Sequence, residues 1–309
     1  MKAKTKTSLR QLIATSWKDE QSCREYLENI RWDGYPECPH CGYQSDDQYK
    51  LTTSGVFKVL YKCKHCRKRF TVTVGTMFEG SHVPLTDWFY AISIFLSHKK
   101  GISSAQLSRD ICVTQKTAWF MLGRIRHNLD DIIRVRFETE TQIDETYVGG
   151  KNRKRNGKKH TQGRSTEIKT PVFGMLCNGF VLNIPVSNVG GKLLKSIIFE
   201  LVKEGSTVVT DGLSSYRGLS KNYNHQVVNH SEGEYVRDGY HTNGIEGFWS
   251  QLKRGILGIY HLVSRKHLEK YCNEFAFRYN TRKMYDIQRF TYFMIYGNKQ
   301  LKYRELIAN

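Results

Sequence analysis

Two aspartates, Asp144 in TQIDETYVGG and Asp211 in STVVTDGLSSY, each stand at the end of an apolar, β-branched run. A third segment, HTNGIEGFWSQLKRG from His241 to Gly255, sets an amide (Asn243), a carboxylate (Glu246) and an ammonium (Lys253) close together. Taken singly, either aspartate suits a turn or a cap, and Asp211 precedes Gly212, a common turn pair. Taken together they suit other chemistry. Clustered carboxylates repel unless a cation sits between them, and hard oxygen donors suit Mg²⁺ or Mn²⁺. Two such ions can activate a nucleophile and stabilise the leaving oxygen of a phosphodiester, which calls for two or three carboxylates on rigid elements.

The elements needed to position these groups are legible. At 100° per residue, Ile245, Phe248, Trp249, Leu252 and Ile256 gather on one side of a helix. Asn243, Glu246, Ser250 and Lys253 gather on another side, within about 80°. Such a helix packs on a sheet by its apolar face and holds a polar stripe at the sheet's edge. Glu246 can then ligate a metal, Lys253 can grip a phosphate, and Asn243 can ligate through its amide oxygen. An ordinary amphipathic helix with a surface charge pair would show the same periodicity. From Thr139 onward the pattern predicts strands ending near Asp144 and Asp211. Between them it predicts a hairpin (Val172 to Leu176, Phe180 to Val186) and a helix over Gly191 to Glu204.

A second chemistry lies nearer the N-terminus. ECPHCG places Cys38 and Cys41, and KCKHCRKRF places Cys63 and Cys66, with 21 residues between the pairs. Each CxxC turn aims two thiolates at one centre, and two such turns complete a tetrahedron around Zn²⁺. The intervening YKLTTSGVFKVLYK has the character of a hairpin. One structural zinc in a zinc ribbon is expected; a thioredoxin-like redox CxxC would need a βαβ context that is missing. His40 and His65 are expected outside the ligand set, and Arg67, Lys68 and Arg69 suit either phosphate contact or a solvated strand end. The scattered Cys23, Cys112, Cys177 and Cys272 are expected as small core residues.

Between these regions, PLTDWFYAISIFLSHKKG repeats apolar residues at Leu85, Trp88, Phe89, Ile92, Phe95 and Leu96, one helix face. GISSAQLSRDICVTQKTAWFMLGRIR then predicts a helix over Ser103 to Asp110, a turn near Cys112 to Thr114, and a helix over Gln115 to Arg126. Ala105, Leu107, Ala118, Met121, Leu122 and Ile125 would point inward. This pattern fits a helix-turn-helix, which enters the major groove by the N-terminal residues of its second helix. Gln115, Lys116 and Thr117 would sit there, where they could reach base edges or phosphates. An ordinary helical hairpin shows a similar pattern.

Lys and Arg total 48 against 29 Asp and Glu, a net charge of +19. Such an excess points to a polyanionic partner, either nucleic acid or an acidic surface. No apolar run reaches the roughly 18 residues needed to span a bilayer, and the basic start MKAKTKTSLRQLIATSW has no long apolar core. A cytoplasmic, nucleoid-associated protein without membrane contact is expected. The segment KNRKRNGKKH, Lys151 to His160, holds six Lys or Arg residues and is expected as an exposed arm.

The elements CPHC…CKHC, IDETYVGGK, VVTDGLSSY and HTNGIEGFWSQLKRGILGIYHLVSRKHLEKYCNEFAFRYNTR resemble insertion-sequence transposases of the DDE class. The specific likeness is to the group with an N-terminal zinc ribbon and an ISXO-type transposase domain. The resemblance covers about Glu20 to Arg282 and implies an RNase H-like catalytic domain. It implies Asp144 as the first metal carboxylate and Asp211 as the second, serving two Mg²⁺ or Mn²⁺ ions. Glu246 follows Asp211 after 34 intervening residues and ranks first for the third position. Many members of the group carry Asn as third signature residue, and Asn243 is the rival. His241 would contact the leaving strand. Lys253 and Arg254 would hold DNA, and Lys151, Arg153, Lys154 and Arg155 would clamp it beside the site.

The expected chain is therefore multidomain α+β. It has an N-terminal helical segment (1–35), a zinc ribbon (36–80), a helix-turn-helix domain (84–130), a catalytic α/β domain with a mixed sheet (139–290) and a C-terminal tail (291–309). The implied activity is binding of terminal inverted repeats, metal-dependent 3′-end cleavage by water, and attack of the freed 3′-OH on target DNA. Synapsis of two ends would require at least a homodimer. The alternatives are a DNA-binding regulator with a dead catalytic domain, and a nuclease without strand transfer.

Overall fold

A computed structural model describes residues 8–53, 56–129, 137–149, 169–297 and 299–308. They form two compact units: one spans the described residues up to Leu129 together with Met284–Ala308, the other Phe137 to Lys283.

In the first unit, α1 (Leu9–Thr15) begins at a capping box in which Ser8 Oγ accepts from the Gln11 N–H. Helix α2 (Glu20–Trp32) is capped by Asp19 and ends where Asp33 turns left-handed at φ 44°. Strands β1 (Tyr49–Thr53), β2 (Val56–Lys62) and β3 (Arg69–Phe70) make an antiparallel ribbon in that order. Trp32 of α2 packs edge-on against Tyr61 and Phe70, with ring centroids 5.3 and 5.9 Å away. The ribbon's small apolar face is thus covered by the helix that precedes it.

Helix α3 (Leu85–Ser97) buries all six residues of the predicted face. Helices α4 (Ser104–Asp110) and α5 (Gln115–His127) follow the predicted boundaries because Ser103 and Thr114 cap them, accepting from the Gln106 and Thr117 N–H groups. Two expectations fail here. Ala105 is exposed, because short α4 buries only Leu107. Cys112 is also exposed, because the turn holds it at φ 52°; Cys23, Cys177 and Cys272 are buried as expected.

The second unit holds a five-stranded mixed sheet: β4 (Thr141–Gly149), β5 (Lys169–Cys177), β6 (Phe180–Pro185), β7 (Thr207–Thr210) and β8 (Asn224–Val227). The order is β6-β5-β4-β7-β8; β4 to β6 run antiparallel as a meander, and β7 and β8 run parallel to β4. This is the RNase H-like arrangement. Helix α6 (Gly191–Leu201) covers one face, where Ile143, Phe173, Met175, Leu194, Ile198 and Val208 share a core. Helices α7 (Asn243–Gly255) and α8 (Leu268–Asn280) meet at Gly255. A Cβ there would stand 2.0 Å from Phe275 Cζ and 2.3 Å from its Cε1. Phe275 is 4% exposed, so the ring has no room to swing out. Gly255→Ala should therefore destabilise the protein by about 1–3 kcal/mol through overpacking, read as a lower urea midpoint; an unchanged midpoint would refute that packing.

Helices α9 (Asp286–Tyr296) and α10 (Tyr303–Ile307) belong to the first unit, which corrects the expected catalytic boundary at 290 and the tail 291–309. Phe290 stacks on Trp17 with centroids 4.5 Å apart. Leu306 lies against Gly123 of α5, and the buried Arg124 guanidinium donates to the Met77 and Leu301 carbonyls at 2.6 and 3.0 Å. The apolar residues of α9 complete the core built by α2 and α3. Among the described residues no helix is long and apolar enough to cross a membrane.

Candidate metal centres and nucleic-acid residues

The four predicted cysteines converge. Cys38 and Cys66 Sγ lie 3.6 Å apart, and Cys41 and Cys63 Sγ 3.7 Å. Four sulfurs at about 2.3 Å from one zinc would stand roughly 3.8 Å apart, so the set fits a tetrahedral ion. The two turns are built alike: the Gly42 N–H donates to the Cys38 carbonyl (2.8 Å) and the Arg67 N–H to the Cys63 carbonyl (3.0 Å). Gly42 and Arg67 both take positive φ, 72° and 61°. His40 and His65 are exposed and outside the cluster; His65 stacks on Tyr43.

The carboxylates converge as well, with one addition. Asp144, Glu145 and Asp211 each offer an oxygen within 4.8 Å of the other two. Asp144 lies within β4, which runs on to Gly149 rather than ending near Asp144 as expected, and Asp211 lies just past the end of β7; β7 pairs in parallel with β4, so the topology delivers both to one level of the sheet. Asp211 Oδ1 accepts from the Leu213 N–H at 2.9 Å, which fixes the turn after the strand. Side chains alternate along a strand. Asp144 stands opposite Gly174 on the face toward α7, and Glu145 stands opposite Phe173 on the face toward Tyr216. Buried Tyr216 donates its hydroxyl to Glu145 Oε2 at 2.9 Å. DGLSSY thus supplies Asp211 to the cluster and, five residues on, a hydroxyl to Glu145.

Burial first, and then the neighbouring Glu145 charge, push the Asp144 carboxyl up to about 7. An acid whose folded pKa exceeds its unfolded value near 3.8 keeps a proton that the unfolded chain has lost. Its contribution to stability therefore falls as pH rises from about 4 to 7 and stays low above that. Without divalent cation, Asp144→Asn should accordingly melt higher than the parent at pH 8, by an amount that shrinks toward pH 4. The full shift corresponds to a few kcal/mol, on the order of 1.4 per unit. Thermal melts of zinc-loaded protein in Mg²⁺-free buffer check this, and a parent more stable than the variant at pH 8 would refute it. Three hard oxygens with a carboxyl held against ionisation fit a divalent cation.

Helix α7 is anchored to β4 at two levels. Gln142 Oε1 accepts from the Ile245 N–H at 3.1 Å, and Trp249 Nε1 donates to Asp144 Oδ2 at 2.9 Å. Four helical residues rise about 6 Å and two strand residues about 6.6 Å, so the helix and the strand run alongside in step. Glu246 is not among the three grouped carboxylates. Its Oε1 is 3.1 Å from His230 Nδ1 and 3.3 Å from Thr242 Oγ1, since its helix face turns toward the segment after β8. Asn243 is exposed at the first position of α7, and Lys253 and Arg254 are exposed in its last turn. Arg254 is tied back to Ser250. His241 Nδ1 lies 3.3 Å from Gln142 Nε2.

At the start of α5, Gln115 and Lys116 are exposed. Gln115 Nε2 donates to Ser104 Oγ at 2.7 Å, Lys116 lies over the Tyr303 ring of α10, and Thr117 bonds the capping Thr114. Lys151, Arg153, Lys154 and Arg155 of the basic arm lie outside the described residues. Sequence reasoning missed Glu145 as a member of the group, Tyr216, Trp249 and Gln142 as the residues that hold it and α7, and His230 as the partner of Glu246. Only Glu145, adjacent to Asp144, carried a local signal.

Comparison with known proteins follows this geometry. Residues 138–280 match a family profile described as ISXO2-like transposase domain, and residues 18–69 match one described as transposase zinc-ribbon domain. An uncharacterised protein in transposable element ISH50 of Halobacterium salinarum is 31% identical over 274 residues, covering 84% of this chain and 90% of that one. An uncharacterised transposase-like protein of Haemophilus influenzae is 32% identical over 111 residues, covering 36% of this chain and 87% of its own. Among solved structures, the Mos1 mariner paired end complex with Mn aligns with TM-score 0.28 at 13% identity, covering 66% of this chain and 73% of that one. The pre-cleavage Mos1 transpososome aligns with TM-score 0.26 at 12% identity, covering 68% and 79%.

Proposed function

The chain belongs to the ISXO2-like transposase family, and on that premise we propose that it is an active DDE enzyme that cuts the ends of its own element and joins them to target DNA. The observation that carries this reading is the convergence of Asp144, Glu145 and Asp211, with carboxylate oxygens within 4.8 Å of one another. Asp144 and Asp211 hold divalent cation there, Mg²⁺ or Mn²⁺, two ions in the complete site. The cation supplies activation of the attacking oxygen and charge stabilisation at phosphorus. The protein's part is to hold the carboxylates rigid, to present Lys253 to a phosphate, and to bring the strand end in line. Cleavage and joining are both in-line displacements, so one site serves both and no serine or tyrosine nucleophile is needed.

Glu246 is proposed as the third acidic position, ahead of Asn243. It sits one turn before Trp249, which touches Asp144, and a carboxylate neutralises cation charge where an amide does not. Joining the site requires the Glu246 carboxylate, whose Oε1 lies beside His230 and Thr242, to move toward the group. The net charge of +19 supports double-stranded DNA as partner. The ribbon, the start of α5, His241, Arg254 and the basic arm are its proposed contacts, and pairing two ends requires at least a dimer.

Incubating the protein with Mg²⁺, labelled DNA bearing the element's ends and a target plasmid tests the reading. Joined products are expected. Cleavage without joining would indicate a nuclease, and tight end binding with no cleavage a regulator. Glu246→Gln should abolish cleavage while Asn243→Ala retains it; the reverse result would exchange their roles.

A further inference from the structure

Trp249 does more than fill a core. Its indole is 4% exposed, yet its Nε1 reaches the Asp144 carboxylate at 2.9 Å. The rest of the ring lies over Gly174, the residue directly opposite Asp144 in the β4–β5 pairing. A Cβ at Gly174 would stand 2.4 Å from Trp249 Cη2 and 2.5 Å from Cζ2. Gly174 is not in the left-handed region, so no turn explains a glycine there. In the middle of a strand a glycine weakens the sheet unless something must approach the backbone closely. What approaches is the indole.

We infer that Trp249 and Gly174 are a positioning pair that orients the Asp144 carboxylate for cation binding and sets the register of α7 against β4. This rests on the metal-site reading proposed above. An ionised carboxylate has about four lone-pair positions. The indole N–H occupies one on Oδ2, which restricts the rotation of the group while leaving other positions for a cation. The same contact, with Gln142 holding the Ile245 N–H, keeps α7 from sliding, and Glu246 and Lys253 ride on that helix.

Trp249→Phe removes the donor and keeps an aromatic ring over Gly174. Partners that orient metal ligands are typically worth 10–100-fold in affinity. Mn²⁺ binding, followed by the electron paramagnetic resonance of the free ion on zinc-loaded protein, should weaken about tenfold or more in Trp249→Phe. Cleavage should recover in part at raised Mn²⁺. Gly174→Ala, which leaves the indole present but displaced, should give a loss of the same order. Affinity equal to the parent's in either folded variant would overturn the pairing while leaving the metal site standing. A parent that binds no Mn²⁺ at all, or binds it equally well as Asp144→Asn, would overturn both. Should neither variant fold, Mg²⁺ titration of the parent decides. One of the five indole N–H resonances should shift along the cation's own binding curve, and the pairing falls if none does.

Discussion

Asp144→Asn and Asp211→Asn should each lower DNA strand cleavage in Mg²⁺ by roughly a thousandfold or more, equivalent to about 4 kcal/mol of transition-state stabilisation. The two side chains come from strands 67 positions apart in sequence and meet within 4.8 Å. Each substitution keeps the shape and removes one charge that a cation needs, so binding of the ions and their hold on the phosphate fail together. The losses should not add in the double variant, because the residues act as one unit. Single-turnover cleavage of end-bearing DNA is the measurement. Asp144→Asn would be inactive yet more stable than the parent without cation, so loss of fold cannot account for the result. Retention of parental cleavage by either variant would remove that residue from the catalytic site.

Zinc loss should have the largest structural effect. The ribbon consists of three short strands with little apolar surface of its own, chiefly Tyr61 and Phe70 under Trp32. A structural zinc contributes about 10–16 kcal/mol in such modules. Cys63→Ser, or zinc removal by a chelator, should therefore unfold the ribbon. Backbone amides of β1, β2 and β3 and of both cysteine turns should lose protection in hydrogen exchange. Amides of β4 and β5, in the other compact unit, should keep theirs. Protected ribbon amides in zinc-free protein would show that the apolar contacts suffice.

What was legible from sequence was local. The CxxC turns fix their own geometry through backbone bonds inside four or five residues, and the capped helices α4 and α5 carry their boundaries in Ser103 and Thr114. The apolar face of α7 follows from its period, and all of Ile245, Phe248, Trp249 and Leu252 are buried. What was hidden depends on partners far along the chain. Gln142 reaches Ile245 across 103 residues, and Trp249 reaches Asp144 across 105. A tryptophan on an apolar face gives no sign that its one polar atom is spoken for. Strand alternation turns Glu145 to the face opposite Asp144, yet its longer side chain brings an oxygen back to the group, which adjacency in sequence alone does not tell. The return of α9 to the first unit was hidden too, since Phe290, Phe293 and Met294 mark an inward face without saying which core receives it.

The account stands on one claim, that Asp144 and Asp211 together hold divalent cation. Anomalous X-ray scattering from a crystal grown with Mn²⁺ tests it most directly. The account predicts a manganese peak in coordination contact with both carboxylates. Manganese bound elsewhere, with both aspartates free of it, would contradict it.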